Sequence, residues 1–183
     1  MAISILNKEN TALIIVDAQE KLMGVMGQKD RVADRMLKLL DLARVFQLPV
    51  IVTEQNPKHL GPTLPAIRET LPAYNSIEKV DFNCCEVQAF NDCIEKKKLQ
   101  NIILTGVETH ICVLQTCVSL LERGYRVHVP HHAVDSRTEA NWQIGLSLMG
   151  EAGATITSTE TIIFQILKKA GTPEFKALLK TIK

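Results

Sequence analysis

The sequence has no surplus of either charge. Its 183 residues carry 21 Lys and Arg against 20 Asp and Glu, a formal net charge of +1. A near-neutral chain whose one basic cluster is Lys96-Lys97-Lys98 lacks the footprint that holds a phosphate backbone, so no nucleic-acid partner is expected. That run reads as positive charge set against a helix C-terminus. No apolar stretch approaches the roughly 20 residues that a bilayer span needs, so no membrane partner is expected either. Met1-Ala2-Ile3-Ser4-Ile5-Leu6 shows no Arg-rich leader and no signal-peptide architecture. The sequence also has no CxxC. Its five cysteines are odd in number, and none falls into a Cys/His pattern with zinc spacing, which argues against a disulfide scaffold and a structural zinc site. Reduced thiols suit a cytoplasmic protein, an association with mitochondria being left open. There is no repeat, low-complexity tract or linker, and the length suits one domain over residues 1–183.

What is present is an alternation of strand and helix signals. Ala12-Leu13-Ile14-Ile15-Val16 is an uninterrupted apolar run ending at Asp17, as in a strand buried on both faces. Residues 31–47 follow with helical spacing (Val32, Met36, Leu39, Leu40 and Ala43 share a face), and Asp30 is placed to cap them. Leu48–Val52 reads as a second strand. An irregular segment runs from Glu54 to about Pro72, and Ser76–Val80 is a weaker third strand. A helix over about 86–97 precedes the strand Asn101–Thr105. Gly106–Thr109 is a turn, and a helix runs from about His110 to Arg123. A fifth strand, Arg126–Val129, is followed by a capping-box spacing at Ser136 and Glu139 that opens a helix to about Ala152. Ala154–Thr157 is the sixth strand, Thr159 starts a helix to about Lys169, and Pro173 opens a last one. Six strands alternating with helices predict an α/β fold, a parallel sheet with helices on both faces.

In such folds chemistry sits beyond the carboxyl ends of the strands. Three reactive groups stand there: Asp17 after strand 1, Lys79 at the end of strand 3, and Cys112 where a helix begins after strand 4. A helix N-terminus and a nearby ammonium both favour a thiolate. A carboxylate can take the thiol proton and later pass it to a leaving group. Backbone N–H groups at the turn can form an oxyanion hole. Together these parts describe covalent acyl transfer or hydrolysis, although each group alone has a bland reading as a strand-end cap, a solvated amine or a small buried residue.

The sequence resembles the isochorismatase-like cysteine hydrolases, the isochorismatase domain-containing proteins among them. The landmarks are Leu13-Ile14-Ile15-Val16-Asp17-Ala18-Gln19, Val52-Thr53-Glu54-Gln55, Glu78-Lys79-Val80-Asp81-Phe82, Gly106-Val107-Glu108-Thr109-His110-Ile111-Cys112-Val113 and Ala133-Val134-Asp135-Ser136-Arg137. The resemblance covers nearly the whole chain. It implies a three-layer αβα fold with a six-stranded parallel sheet of order 3-2-1-4-5-6, in a homo-oligomer. It further implies a catalytic triad of Asp17, Lys79 and Cys112, an oxyanion hole from the N–H groups of Glu108 and Cys112, and a cis peptide at Val107–Glu108. Nicotinamidases of this superfamily bind a metal through an Asp and two His residues after strand 2. Here that stretch reads Glu54-Gln55-Asn56-Pro57-Lys58-His59, so neither metal nor other cofactor is expected. The segment after Lys79 is Phe82-Asn83-Cys84-Cys85, an unusual pocket wall. The expectation is a metal-independent cysteine hydrolase of a small amide or ester, working through a thioester on Cys112. The alternative is a non-catalytic binding or scaffold protein that retains the hydrolase fold.

Other residues carry smaller expectations. Gln19 is placed to orient Asp17 or substrate, Phe82 to wall the substrate pocket, and His110 to set its polarity. Cys84-Cys85 reads as structural, and Cys93 and Cys117 as helix core. His131 and His132, as neighbours on extended chain, should point opposite ways. Trp142 reads as packing or subunit interface.

Overall fold

The computed structural model describes residues 5–95 and 98–182. Met1–Ser4, Lys96 and Lys97, and with them the readings of the leader and of the lysine run, lie outside the described residues. The strands are β1 (Thr11–Val16), β2 (Val50–Gln55), β3 (Ser76–Lys79), β4 (Asn101–Val107), β5 (Arg126–Pro130), β6 (Val134–Asp135) and β7 (Thr155–Thr157). They form one parallel sheet of order β3-β2-β1-β4-β5-β7, with the two-residue β6 paired beside the end of β4. The expected order is the observed one, β7 being the sixth strand read from sequence.

The apolar run of β1 has a partner on each face. Leu13 and Ile15 pack with α2 (Lys29–Phe46), α8 (Thr159–Leu167) and α9 (Pro173–Ile182). Ala12, Ile14 and Val16 pack with α5 (Gln88–Glu95), α6 (Leu114–Glu122) and α7 (Glu139–Glu151). Two apolar faces on one strand leave no position for a polar side chain, so the run is continuous rather than alternating.

Local details depart from the expectation. Gln28, not Asp30, is the cap residue of α2, and Asp30 lies inside its first turn, where its charge meets the helix dipole. The Ser136/Glu139 box is not used: Thr138 caps α7 by accepting the Asn141 N–H at 3.3 Å. The segment after Glu54 is not irregular throughout. β2 runs to Gln55, and two short helices, Pro57–Leu60 and Pro65–Thr70, each begin at a proline, which suits a first helical position.

The turn after β4 is the largest correction. No cis peptide occurs among the described residues, so Val107–Glu108 is trans. The corner is instead made by φ values of 143° at Gly106 and 56° at Glu108. Gly106 has a steric reason as well, since a Cβ there would sit 2.3 Å from the Val16 carbonyl oxygen. The chain then enters a π-helical turn, Thr109–Val113, before α6.

Candidate active site

The strand register brings the site together. Val16 lies level with Thr53 on β2 and with Gly106 on β4, and Gln55 lies level with Lys79 on β3. Asp17, one residue past β1, adopts φ 54°. Its side chain and that of Lys79 are both wholly shielded from solvent. Lys79 Nζ donates to Asp17 Oδ2 at 2.6 Å, to Gln55 Oε1 at 2.6 Å and to the Asp81 carbonyl at 3.3 Å. All three ammonium protons are thereby used. The Thr53 hydroxyl donates to Asp17 Oδ1 at 2.7 Å. A buried ion pair offsets its desolvation only when its remaining hydrogen-bonding capacity is met in this way.

Cys112, 5% exposed, sits in the π-helical turn and faces both members of the pair. Burial first, and the Asp17 charge second, push its thiol well above the ordinary range, and the opposing Lys79 ammonium does not compensate. This reverses the thiolate expected from the sequence: desolvation of a nearly enclosed sulfur outweighs one cation that is itself neutralised by Asp17. For Lys79, burial pulls the pKa down, but the Asp17 charge, joined by Cys84 and Cys112, leaves it raised overall.

A second thiol belongs to the same cluster. Cys84 is fully buried. Its S–H donates to Thr53 Oγ1 at 3.8 Å, and its N–H to Thr116 Oγ1 at 3.0 Å. Burial pushes this thiol up to about 11 against the pull of Lys79, with Asp17 adding to the rise. The structural reading of the pair therefore suits Cys85, whose thiol burial pushes up to about 12, while Cys84 stands beside Asp17. Thr53, Gln55 and Cys84 are the site residues that sequence reasoning missed. The signal for the first two was the Val52-Thr53-Glu54-Gln55 landmark at a strand's carboxyl end.

Glu108, 6% exposed, holds its left-handed conformation with its carboxylate in an ion pair, Oε1 lying 2.6 Å from Arg137 Nε. Among the described residues its backbone N–H donates to no backbone carbonyl. His110 turns toward this pair: its Nδ1 is 3.0 Å from Ser136 Oγ and 3.5 Å from Glu108 Oε2. Gln19 does not line the site. It is fully buried, donates from Nε2 to the Gln55 and Gly61 carbonyls, and accepts the Gln55 N–H. Its amide is spent tying β1 to the segment after β2. Phe82 is about half exposed, one residue past the Asp81 carbonyl that receives Lys79. His131 and His132 lie side by side with ring centroids 3.6 Å apart and the planes tilted by 42°, because they occupy a 3-10 turn rather than extended chain. Trp142 donates to the His131 carbonyl at 3.1 Å, and Cys93 is exposed rather than in the core.

The stretch after β2 does not fit a metal. The Glu54 carboxylate accepts from Thr63 N–H and hydroxyl, Tyr74 and Ser76, and His59 is exposed on α3, the Pro57–Leu60 helix. Glu54 is thereby committed to holding the 57–76 segment. Burial raises its pKa, but these four donors together leave it lowered. A cavity of about 510 Å³ opens beside this segment, lined by Asn56, Lys58, Lys79, Val80 and Asp81 among others. It reaches Lys79 but neither Asp17 nor Cys112.

A buried carboxylate–ammonium–thiol cluster at the carboxyl edge of a 3-2-1-4-5 sheet narrows the comparison with known proteins. The isochorismatase domain profile matches residues 11–161. The chain belongs to the isochorismatase family. Isochorismatase domain-containing protein 2A of Mus musculus is 32% identical over 177 residues, 96% of this chain and 84% of that one. The MAR1 ribonuclease of Caenorhabditis elegans has TM-score 0.91 and 39% identity, covering 98% of this chain and 92% of that one. The YcaC gene product of Escherichia coli, described as an octameric hydrolase of unknown specificity, shares the fold with TM-score 0.92 at 23% identity, covering 99% of this chain and 92% of that one. The isochorismatase-like hydrolase fold is thus common to all four proteins. No helix among the described residues is long and apolar enough to cross a membrane.

Proposed function

We propose that this isochorismatase-family protein is a metal-independent cysteine hydrolase of a small amide or ester. The observation that carries the proposal is the convergence of Cys112 on a carboxylate that is already ion-paired and shielded from water. Cys112 Sγ attacks the substrate carbonyl carbon as its proton passes to Asp17. Because burial holds the resting thiol protonated, the proton leaves as the S–C bond forms rather than beforehand. Asp17 then gives that proton to the departing amine or alcohol. Water, deprotonated by Asp17, attacks the thioester and releases the acid. Lys79 keeps Asp17 in place and offsets the negative charge that builds beside it. The N–H of Glu108, which meets no backbone acceptor among the described residues, together with that of Cys112, receives the carbonyl oxygen as it becomes an oxyanion.

In this reading half-exposed Phe82 forms a wall for the substrate, and His110 contributes through Glu108. Gln19 has no substrate role in this scheme. The saturated Glu54 carboxylate supports a reaction without metal or other cofactor. The absence of a basic surplus supports a small-molecule substrate over RNA, despite the activity described for the C. elegans relative. A homo-oligomer is supported by exposed Val80, Ile144 and Leu148 and by the octamer of the E. coli relative. Five free thiols suit a reducing compartment such as the cytoplasm.

The test is intact-protein mass spectrometry after exposure to a library of activated esters and primary amides. An acyl adduct on Cys112 that appears and then decays is the expected result. No adduct from any member, with RNA also left intact, favours a scaffold that retains the fold without its chemistry.

A further inference from the structure

The hydrolase reading leaves Arg137 without a task. It stands on the surface after β6, its side chain more than half exposed, yet its Nε lies 2.6 Å from a Glu108 carboxylate that is nearly buried. An exposed arginine is ordinarily a solvated one, and an exposed ion pair stabilises little. This pair is different because of where the carboxylate is attached. Glu108 has φ 56° and ψ 61°, a conformation that a side-chain-bearing residue adopts only when its surroundings impose it. The same residue carries the backbone N–H that finds no backbone acceptor among the described residues.

The direction of that N–H is set by the two peptide planes around Glu108, and something must keep them from relaxing. On the strand side Gly106 is pressed against Val16, and on the helix side Gly145 of α7 would bring a Cβ within 2.8 Å of the Thr109 backbone. Neither contact fixes Glu108 itself. Its side chain does: one carboxylate oxygen is held by Arg137, and the other, buried and without a hydrogen bond, lies 3.5 Å from His110 Nδ1. Without Arg137 the carboxylate would be nearly buried and unpaired, a state that proteins relieve by moving the residue outward. Such a movement would turn the N–H.

We infer that Arg137, acting through the Glu108 carboxylate, is a positioning residue for the oxyanion hole: it holds the strained turn in the one orientation that presents the Glu108 N–H to the developing oxyanion. The inference rests on the reading of Cys112 as an acyl-accepting thiol. Arg137 touches neither substrate nor thiol. It also lines a partly open cavity of about 310 Å³ with Gln28, Arg31, Asp135, Ser136 and Trp142. Removing its side chain would enlarge that space and open the Glu108 carboxylate to a small cation.

Two reactions of the same sulfur separate this role from a structural one. Alkylation by iodoacetamide is a displacement at saturated carbon and forms no oxyanion. Acylation by p-nitrophenyl acetate does form one. In Arg137→Ala the acylation rate of Cys112 should fall at least tenfold, since loss of a whole oxyanion donor costs on the order of a hundredfold or more, while the alkylation rate stays within twofold of wild type. Guanidinium chloride, well below denaturing concentrations, should restore part of the acylation rate to Arg137→Ala and none to Asp17→Asn. Arg137→Lys, which keeps the charge but loses the planar fork, should fall between the two, and Glu108→Gln should reproduce the acylation loss without being rescued. Equal losses of acylation and alkylation, or an unchanged acylation rate, would overturn the positioning role. A wild-type protein that is alkylated but never acylated would instead remove the hydrolase reading, and this inference with it.

Discussion

In the proposed reaction Cys112 is the nucleophile, and its neighbours pull its proton in opposite directions. Asp17 adds to the rise that burial produces, and Lys79 opposes it. Replacing Lys79 with Met keeps the length and removes the opposing charge, so the thiol should titrate higher still and iodoacetamide should label it more slowly at neutral pH. Replacing Asp17 with Asn should speed labelling and still abolish turnover, because the proton acceptor is gone. The pH dependence of the alkylation rate reads both changes, and equal rates in wild type and Lys79→Met would place the ammonium away from the sulfur. A second titrating residue lies far from this chemistry. His128 is buried on β5 with neither ring nitrogen hydrogen-bonded, and burial, helped by Arg126, lowers its pKa from 6.5 to about 4. The folded chain therefore keeps this imidazole neutral where the unfolded chain protonates it. Between those two values the unfolded state binds more protons, so stability falls as pH drops from about 6.5 to 4 and the contribution is constant below that. The loss attached to this one group is on the order of 3 kcal/mol. Urea midpoints measured between pH 7 and pH 4 should decline less steeply in His128→Leu than in wild type.

The helix that follows β4 begins as a π turn, and α7 crosses close against that turn. Gly145 makes this possible: a Cβ there would lie 2.8 Å from the Thr109 carbonyl carbon and 2.9 Å from the His110 nitrogen. These are backbone atoms on either side of the bond that leads toward Cys112, so they cannot swing aside as a side-chain tip would. Gly145→Ala should therefore displace the turn, with a loss of about 1–3 kcal/mol from overpacking and a fall in Cys112 acylation greater than that loss explains. A melting curve and an acylation rate on the same sample separate the two effects. The strands and helices themselves were legible in the sequence where both faces of an element had to be apolar, as in β1, or where 3.6-residue spacing ran for several turns, as in α2. Their ends were less legible, since Ser136 and Glu139 have capping spacing while Thr138 holds the cap. What local pattern could not carry was any contact between distant residues. Gln19 reads as a site residue because it follows Asp17, and only its hydrogen bond to Gly61, 42 positions away, shows that its amide is already used. The Cys112 thiol is misjudged for a similar reason: the helix start and the lysine are visible in the sequence, whereas burial is not.

Placing strands 1 and 4 at the centre of the sheet brings Asp17 and Cys112 together, and it also leaves α6 and α7 as a pair on one outer face. Ile144 and Leu148 stand one turn apart on α7, 53% and 44% exposed. Leu148 joins Leu114, Val118 and Asn83 around a shallow, mostly apolar groove of about 460 Å³. Asn83 and Leu114 are close in sequence to Cys84 and Cys112, so a second copy seated there would approach the candidate site as well as cover apolar surface. Fully burying an aliphatic side chain contributes about 1.5–3 kcal/mol, and every 1.4 kcal/mol is tenfold in a dissociation constant. The double variant Ile144→Asp/Leu148→Asp loses two such contributions and adds two charges that the interface would have to desolvate, so it should weaken assembly by at least a hundredfold. Light scattering on a dilution series should then give the 20.4 kDa mass of one chain where the wild type gives a multiple. Phe164→Asp, an exposed site on α8 across the sheet, should leave the wild-type mass unchanged. If the α8 variant dissociates and the α7 variant does not, the copies meet through the opposite layer, and the groove beside Leu114 and Leu148 stays open to solvent in the assembly.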